Sequence, residues 1–252
     1  DGFVVGERVL AIPTFGHGGF TECTIAPAAT VFAIPDAMPF DAASALHVTY
    51  QTGHLALHHR AHLQAGETLL VHAGAGGVGS AAIQLGVAAG ARVFATAGGP
   101  EKVDVCRKLG AELAIDYRAD DFVTAIKDAT GGRGVDVVYD PVGGDTYDRS
   151  TKCIAWEGRI LVIGFTGGRF AEARTNHVLI KNYSVVGVHW GMYNLHDPAL
   201  VGSIHDDLIA LFEAGKIEPL ISERVSLAAV PAALTRLGGR GTWGKVVYSA
   251  GS

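Results

Sequence analysis

The most constraining feature of this sequence is a glycine-rich turn between an apolar segment and a stretch with helical character. Residues 68–72 form a continuous, largely apolar run, as expected for a strand buried on both faces of a parallel sheet. Gly74, Gly76 and Gly79 follow at the spacing G-x-G-x-x-G. In a dinucleotide site the first glycine allows a tight turn, the second lets the backbone approach a pyrophosphate, and the third lets the helix pack closely. The helix beginning near Val78 would direct free N–H groups at the phosphates.

Strands and helices alternate downstream of this turn. The predicted strands are 68–72, 92–97, 113–116, 135–139, 159–163 and 184–188, and the predicted helices between them are 78–89, 101–109, 121–129 and 146–155. With right-handed crossovers, this alternation predicts an α/β fold with a doubly wound parallel sheet of strand order 3-2-1-4-5-6. The alternative is a glycine-rich turn without a ligand, and the strand–turn–helix context disfavours it.

The flanking residues have a different character. Short strands are predicted at 8–12, 20–26 and 31–34, and helices near 41–45 and 54–63. The last part of the chain predicts helices at 198–214 and 227–237 and a strand at 245–248. We therefore predict a dinucleotide-binding domain at 51–190, inserted into a second domain made of residues 1–50 and 191–252.

Composition excludes several classes of function. The 252 residues are 48% hydrophobic, with a net charge of −5 and no basic stripe, so nucleic acid is not an expected partner. No apolar run reaches the roughly 18 residues that indicate a membrane span. Cys23, Cys106 and Cys153 are too far apart for a disulfide framework or a Cys-x-x-Cys metal knuckle, which favours a cytoplasmic setting.

The end of the second predicted strand bears on the choice of cofactor. Residues 94–99, which include Thr96, contain no Asp or Glu to bind the ribose 2′-hydroxyl of NAD. Lys102 follows within a turn, within reach of a 2′-phosphate. The sequence therefore favours NADPH. The alternative for Lys102 is an ordinary solvated lysine on a helix face.

Several segments are similar in order to one enzyme family. Residues 5–9, 66–85, 134–144, 158–165 and 244–247 resemble the zinc-free quinone oxidoreductase branch of the medium-chain dehydrogenases/reductases. The resemblance implies a Rossmann sheet inserted into a β-rich, GroES-like catalytic domain. It also implies hydride transfer from NADPH to a quinone or other conjugated carbonyl, no metal, and a homodimer formed through strand 184–188. Family members extend further at the N-terminus, so we expect the catalytic domain here to be N-terminally incomplete.

The resemblance also implies positions for the cofactor. Thr52 and the residues after the fifth and sixth strands would lie near the nicotinamide, whereas Tyr117 and Arg240 would join Lys102 near the 2′-phosphate. The predicted cofactor-binding residues are Thr52, Gly74, Gly76, Gly77, Val78, Gly79, Thr96, Lys102, Tyr117, Gly164, Phe165, Val188, His189, Trp190 and Arg240.

The catalytic residues are less well defined. No general acid is identified by the sequence; Tyr50 is one candidate, with packing as an equally good interpretation. His54, His58 and His62 are spaced by four residues and so share one face of a predicted helix, a pattern that can bind a metal. No acidic or thiol partner accompanies them, and we predict no metal site. His72, in a buried strand, is expected to be a core histidine.

Two other functions stay open at this point. One is an enoyl-thioester reductase with the same hydride chemistry and a larger substrate. The other is a non-catalytic NADPH-binding protein.

Overall fold

A computed structural model describes residues 2–14, 16 and 18–250 of the chain. The chain divides into two compact units, an outer unit of residues 1–51 and 190–252 and a central unit of residues 52–189. The predicted domain limits lie within one residue of these borders.

The outer unit begins with a small antiparallel sheet. Strands β1 (Val9–Ala11) and β2 (Val31–Ala33) pair with Val9 opposite Ala33, and helix α1 (Phe40–His54) follows. The predicted strand at 20–26 is wrong, because this segment consists of bends and coil with Phe20 and Ile25 exposed. An alternating pattern forms a strand only where a neighbour completes its hydrogen bonds.

The central unit contains the predicted parallel sheet. Its strands are β3 (Thr68–Val71), β4 (Arg92–Ala97), β5 (Leu113–Asp116), β6 (Val135–Asp140), β7 (Ile154–Val162) and β8 (Ser184–Gly187). Its helices are α2 (Gly77–Ala88), α3 (Pro100–Lys108), α4 (Phe122–Ala129), α5 (Gly144–Ser150) and α6 (Thr175–Lys181). The strand order β5-β4-β3-β6-β7-β8, with every pair parallel, confirms the predicted α/β fold. The order reverses between β3 and β6, and the crevice at such a switch point is where ligands bind doubly wound sheets.

Burial explains the apolar run of β3. All four of its residues are buried, and Leu70 packs in a core cluster with Phe94 of β4, Val138 of β6 and Ile126 of α4. At about 1.5–3 kcal/mol for each fully buried large apolar side chain, such packing fixes the sheet that carries the loops at its carboxyl edge.

One predicted helix is too long. The prediction placed a helix at 146–155, whereas α5 ends at Ser150 and β7 begins at Ile154, which pairs with Val135 of β6. The register then shifts before Arg159 pairs with Val137. A β-branched residue buried between strands gains more here from sheet pairing than from extending a short helix.

The chain then returns to the outer unit. The returning elements are α7 (Trp190–His196), α8 (Pro198–Glu213), β9 (Ile221–Val225), α9 (Val230–Gly238) and β10 (Lys245–Tyr248). Strands β9 and β10 form a parallel pair with one bulge. Helices α6 and α7 and strand β9 were not predicted. In the part of the chain that the structure describes, no helix combines the length and apolar character needed to cross a bilayer.

Candidate functional site

The glycines between β3 and α2 are needed because there is no room for a side chain, more than because of glycine's backbone freedom. Gly74, Gly76 and Gly79 all have negative φ, and the left-handed residue of the loop is Ala73, with φ 50°. A Cβ on Gly79 would collide with the Ala73 carbonyl, and a Cβ on Gly74 would lie 2.8 Å from the Sγ of Cys106. The role of Gly74 therefore differs from the prediction, because Ala73 makes the tight turn and Gly74 allows close packing against Cys106.

The N-terminus of α2 fits the pyrophosphate of a dinucleotide. Gly76 is the N-cap and supplies no side chain to the free amides. The N–H groups of Gly77, Val78 and Gly79 have no acceptor among the described residues. A Cβ on Gly76 would lie 3.2 Å from the Ala73 carbonyl oxygen and narrow the approach to these amides. Free amides at the positive end of a helix, beside a loop of only glycine and alanine, form an anion site.

Thr96 was predicted to bind the cofactor, and its side chain does something else. It is buried, and its Oγ1 lies 2.9 Å from Nδ1 of His72. Its carbonyl accepts a hydrogen bond from the Gly74 N–H at 2.9 Å. The Thr96 side chain therefore contacts His72 and the Thr96 carbonyl holds the glycine loop, and the contact of Thr96 with the cofactor stays a prediction.

The end of β4 forms a compact corner with the end of β5. Gly99 has φ 95°, and its N–H donates to Oδ1 of Asp116 at 2.9 Å. The N–H of Arg118 donates to the same oxygen at 3.0 Å, and these two bonds lower the pKa of the Asp116 carboxyl. Lys102 lies half-buried in the first turn of α3, next to this corner in the chain.

Two side chains approach Gly98 at this corner. A Cβ on Gly98 would lie 2.7 Å from the Tyr117 hydroxyl oxygen and 3.0 Å from Nε of Arg118. Arg118 is exposed, and its positive charge helps to lower the pKa of the neighbouring Asp116 carboxyl. Tyr117 was predicted here and Arg118 was not, although the predicted strand order puts the end of the third strand beside the end of the second. An exposed guanidinium and a hydroxyl suit a phosphate.

The opposite side of the switch point consists of two interlocked loops. Oδ1 of Asp140 accepts hydrogen bonds from the N–H groups of Val142 at 2.8 Å and Gly143 at 3.0 Å. Burial raises the pKa of this carboxyl, and these two bonds oppose the rise. A Cβ on Gly164 would lie 3.4 Å from the carbonyl oxygen of Pro141. The loops thus present mainly backbone to the crevice.

Phe165 and Val188 also lie at this edge of the central unit. The Phe165 ring is partly exposed and meets Phe170 edge-on at 4.8 Å. The Val188 N–H donates to the carbonyl of Val162 at 3.1 Å, which continues the β7–β8 pairing by one residue. Thr52 is buried near the C-terminal end of α1, and His189 is exposed at the last position of the central unit.

Three predicted site residues belong to the outer unit. The hydroxyl of Tyr50, whose ring is buried, donates to the carbonyl of Glu218 at 3.0 Å, a contact that favours the packing interpretation over that of a general acid. Trp190 Nε1 donates to Oε1 of Gln51 at 3.3 Å. Arg240 is exposed and left-handed, with φ 57°, directly after α9.

The predicted histidine cluster is a pair in the structure, in which the rings of His54 and His58 lie 4.5 Å apart. Residues 55–60 form a π-helical turn, so the regular spacing assumed for His54, His58 and His62 is lost. Burial, and secondarily His58, lowers the pKa of His54 to about 4. Among the described residues no group of three or more His, Cys, Asp or Glu is arranged to hold a metal. Burial raises the pKa of Cys106 to about 12 and that of Cys153 to about 11, so both thiols stay protonated in the core.

Comparisons with known proteins agree with this architecture. A family model described as "Zinc-binding dehydrogenase" matches residues 77–201. A quinone oxidoreductase-like protein 2 homolog from Nematostella vectensis is 37% identical over 246 residues, which are 97% of this chain and 67% of that protein. Escherichia coli quinone oxidoreductase, solved in complex with NADPH, is 27% identical with a TM-score of 0.90, over 99% of this chain and 77% of that one.

The chain is also similar to the solved structure of an enoyl reductase. The CurK enoyl reductase structure is 31% identical with a TM-score of 0.79, over 90% of this chain and 67% of that one. Because the similarity to the Nematostella protein extends over nearly the whole chain, this protein belongs to the quinone oxidoreductase branch of the medium-chain dehydrogenase/reductase superfamily.

Proposed function

We propose that this protein is an NADPH-dependent oxidoreductase that transfers hydride to a quinone or another conjugated carbonyl without using zinc. The observation that carries the proposal is the carboxyl edge of the central sheet. There a glycine loop with free amides lies next to a corner that holds Tyr117 and the exposed Arg118. A relative of the same fold was solved in complex with NADPH.

The residues of the central unit bind and orient the dinucleotide. The amides of Gly77, Val78 and Gly79 receive the pyrophosphate, and Tyr117 and Arg118 receive the 2′-phosphate. When bound, the cofactor supplies the hydride. The interlocked loops around Asp140 and Gly164 then form the other wall of the crevice and keep water from that side.

No side chain of the described residues is assigned as the proton donor. Tyr50 is not chosen for that role because its hydroxyl donates to a backbone carbonyl. In this proposal the proton comes from solvent or from a group outside the given sequence.

Independence from zinc is proposed on the chemistry of the available ligands. The sequence contains three cysteines, which are too few for the four-cysteine lobe of the zinc-dependent relatives. Two of them, Cys106 and Cys153, are buried in the core of the central unit.

The test is NADPH oxidation, followed by absorbance, with a panel of quinones, enones and enoyl thioesters. We expect oxidation with a quinone or a small enone, slower oxidation with NADH, and no loss of rate after treatment with a chelator. Loss of activity on chelation would contradict zinc independence. Binding of NADPH without reduction of any acceptor would favour the non-catalytic alternative.

A second candidate is an enoyl-thioester reductase. The similarity to CurK enoyl reductase favours it, and the acceptor is again an alkene conjugated to a carbonyl. A saturated thioester product, formed without turnover of any quinone, would select this alternative.

We also propose a cytoplasmic homodimer. Strand β8 is the outer strand of the central sheet and pairs with β7 alone among the described strands. An unpaired edge strand is a template for pairing with a second copy. Light scattering during gel filtration tests this proposal, and a monomeric mass would contradict it.

A further inference from the structure

His72 is a buried residue that directly precedes the glycine loop and bonds to several elements around it. Its side chain is 1% exposed at the end of β3. Nδ1 lies 2.9 Å from Oγ1 of Thr96 on β4, and Nε2 lies 2.8 Å from Oγ of Ser150 on α5. Its backbone N–H donates to the carbonyl of Tyr139 on β6 at 3.1 Å. Through one residue, β3 is thus linked to two neighbouring strands and a helix.

The direction of these hydrogen bonds follows from Ser150. The Ser150 hydroxyl donates to the carbonyl of Thr146 at 2.7 Å, so it has no second proton for His72. His72 Nε2–H therefore donates to Ser150 Oγ, and Nδ1 accepts from the Thr96 hydroxyl. Burial lowers the pKa of His72 to about 3, so the imidazole is neutral and keeps this tautomer. Every polar atom of the chain Thr96–His72–Ser150 then has a partner.

We propose that His72, acting through Thr96 and Ser150, is a positioning residue that holds the glycine loop in the shape that receives the dinucleotide pyrophosphate. The proposal rests on the proposed NADPH function. None of the three side chains needs to touch the cofactor, because Thr96 and His72 lie below the loop and Ser150 lies at the far end of α5.

The loop geometry explains why such a support is needed. Ala73 directly follows His72 and has a left-handed backbone, which a residue with a Cβ adopts only where its surroundings hold it. The Ala73 carbonyl accepts the Gly76 N–H at 2.8 Å and lies against Gly79. A change in the position of His72 therefore moves Ala73, and with it the amides at the start of α2.

The support also joins the two sides of the switch point. Helix α5 begins at Gly144, directly after the Asp140 loop that forms the opposite wall. Through Ser150, His72 connects this helix to the glycine loop. Loss of the hydrogen bond between His72 and Ser150 is therefore expected to weaken pyrophosphate binding, although Ser150 itself does not contact the pyrophosphate.

The test compares two ligands on the full-length chain. NADPH uses the glycine loop, whereas adenosine 2′-monophosphate lacks the pyrophosphate and reports only the corner at Tyr117. Thr96→Val and Ser150→Ala should each raise the Kd for NADPH about tenfold, because each leaves a buried imidazole nitrogen unpaired and frees the loop. The Kd for adenosine 2′-monophosphate should change by less than about twofold.

Two further variants serve as controls. Thr96→Ser keeps the hydroxyl and should bind NADPH like the wild type. Thr68→Val removes a buried hydroxyl at the opposite end of β3, where Oγ1 of Thr68 lies 2.7 Å from Asp136, and should lower the melting temperature without changing the ratio of the two Kd values.

The outcomes separate this inference from the proposed function. Unchanged NADPH affinity in Thr96→Val and Ser150→Ala, or a parallel loss of both ligands, overturns the role of His72. If Ser150→Ala does not fold, the comparison of Thr96→Val with Thr96→Ser decides the question. A wild-type protein that binds NADPH but reduces no acceptor refutes the proposed reaction and leaves the ligand comparison valid. A wild-type protein that binds neither ligand overturns both.

Discussion

Arg118 provides a direct test of the 2′-phosphate corner, because its charge is exposed and near the backbone of Gly98. Its Nε would lie 3.0 Å from a Cβ on that glycine, and Tyr117 contacts the same point. A phosphate placed here would meet the guanidinium at hydrogen-bonding distance. The variants to test are Arg118→Ala, which removes the charge, and Arg118→Glu, which reverses it.

The magnitude follows from charge and exposure. Two unit charges about 4 Å apart in water interact by about 1 kcal/mol, and a phosphate monoester carries about 1.5–2 negative charges at neutral pH. Arg118→Ala should therefore weaken NADPH binding by about 1.5–2 kcal/mol, a factor of roughly 10–30 in Kd. NADH lacks the phosphate, so its Kd should change by less than about twofold. Added salt should reduce the difference, because exposed charges are screened within about 8 Å at physiological ionic strength.

The assay is titration of each variant with NADPH and NADH, followed by cofactor fluorescence at low and high salt. Arg92→Ala is the matched control, because Arg92 is an exposed arginine at the start of β4, paired with Glu112 at 2.6 Å. It should leave both affinities unchanged. If Arg118→Ala weakens NADPH and NADH equally, or neither, Arg118 does not contact the 2′-phosphate and the argument for NADPH loses its main support.

Three further predictions concern packing, pH and Tyr50. Gly79→Ala should abolish NADPH binding and lower the free energy of unfolding by about 1–3 kcal/mol. The control is Gly202→Ala, in open space on α8, which should raise the free energy of unfolding by about 0.5–1 kcal/mol. Equal shifts of the melting temperature in the two variants would contradict this prediction. Burial, and secondarily His205, lowers the pKa of His47 to about 4. As the pH falls, the unfolded chain therefore takes up this proton first, and His47 alone should contribute a loss of stability of about 1.4 kcal/mol per pH unit from about pH 6.5 down to about 4. Urea unfolding of His47→Asn should show a shallower dependence in that window, and an unchanged slope would refute it. Tyr50→Phe should cost about 1 kcal/mol of stability and leave the rate of acceptor reduction unchanged, and a large fall in that rate would restore Tyr50 as a proton donor.

The central sheet was predictable because burial on both faces leaves a clear pattern. The apolar run at β3 and the alternation after it specify six strands and their order without information about contacts. Strand β9 was missed because it depends on pairing with β10, with one bulge, and its own pattern is weak. Helix α6 was missed because none of its residues is fully buried, so it has no apolar stripe to detect.

The sequence predicts the parts of the site that depend on the spacing of residues within one segment. It does not predict the parts that form where separate elements meet. The glycine positions follow from sequence, but the left-handed Ala73 depends on how the loop packs. Arg118 is one exposed arginine among many until β5 is placed beside β4. The hydrogen bond between His72 and Ser150 joins residues from distant parts of the chain, and no local sequence pattern predicts it.

The left-handed alanine has a consequence for engineering the cofactor loop. A common practice is to keep the glycines of such a loop for their backbone freedom and to vary the residues between them. In this chain Gly74 and Gly79 are needed because a methyl group does not fit, whereas the unusual backbone is at Ala73, where a methyl group is tolerated. A loop transplanted into another sheet must therefore bring the surfaces around it, and the most permissive position for a new glycine is Ala73.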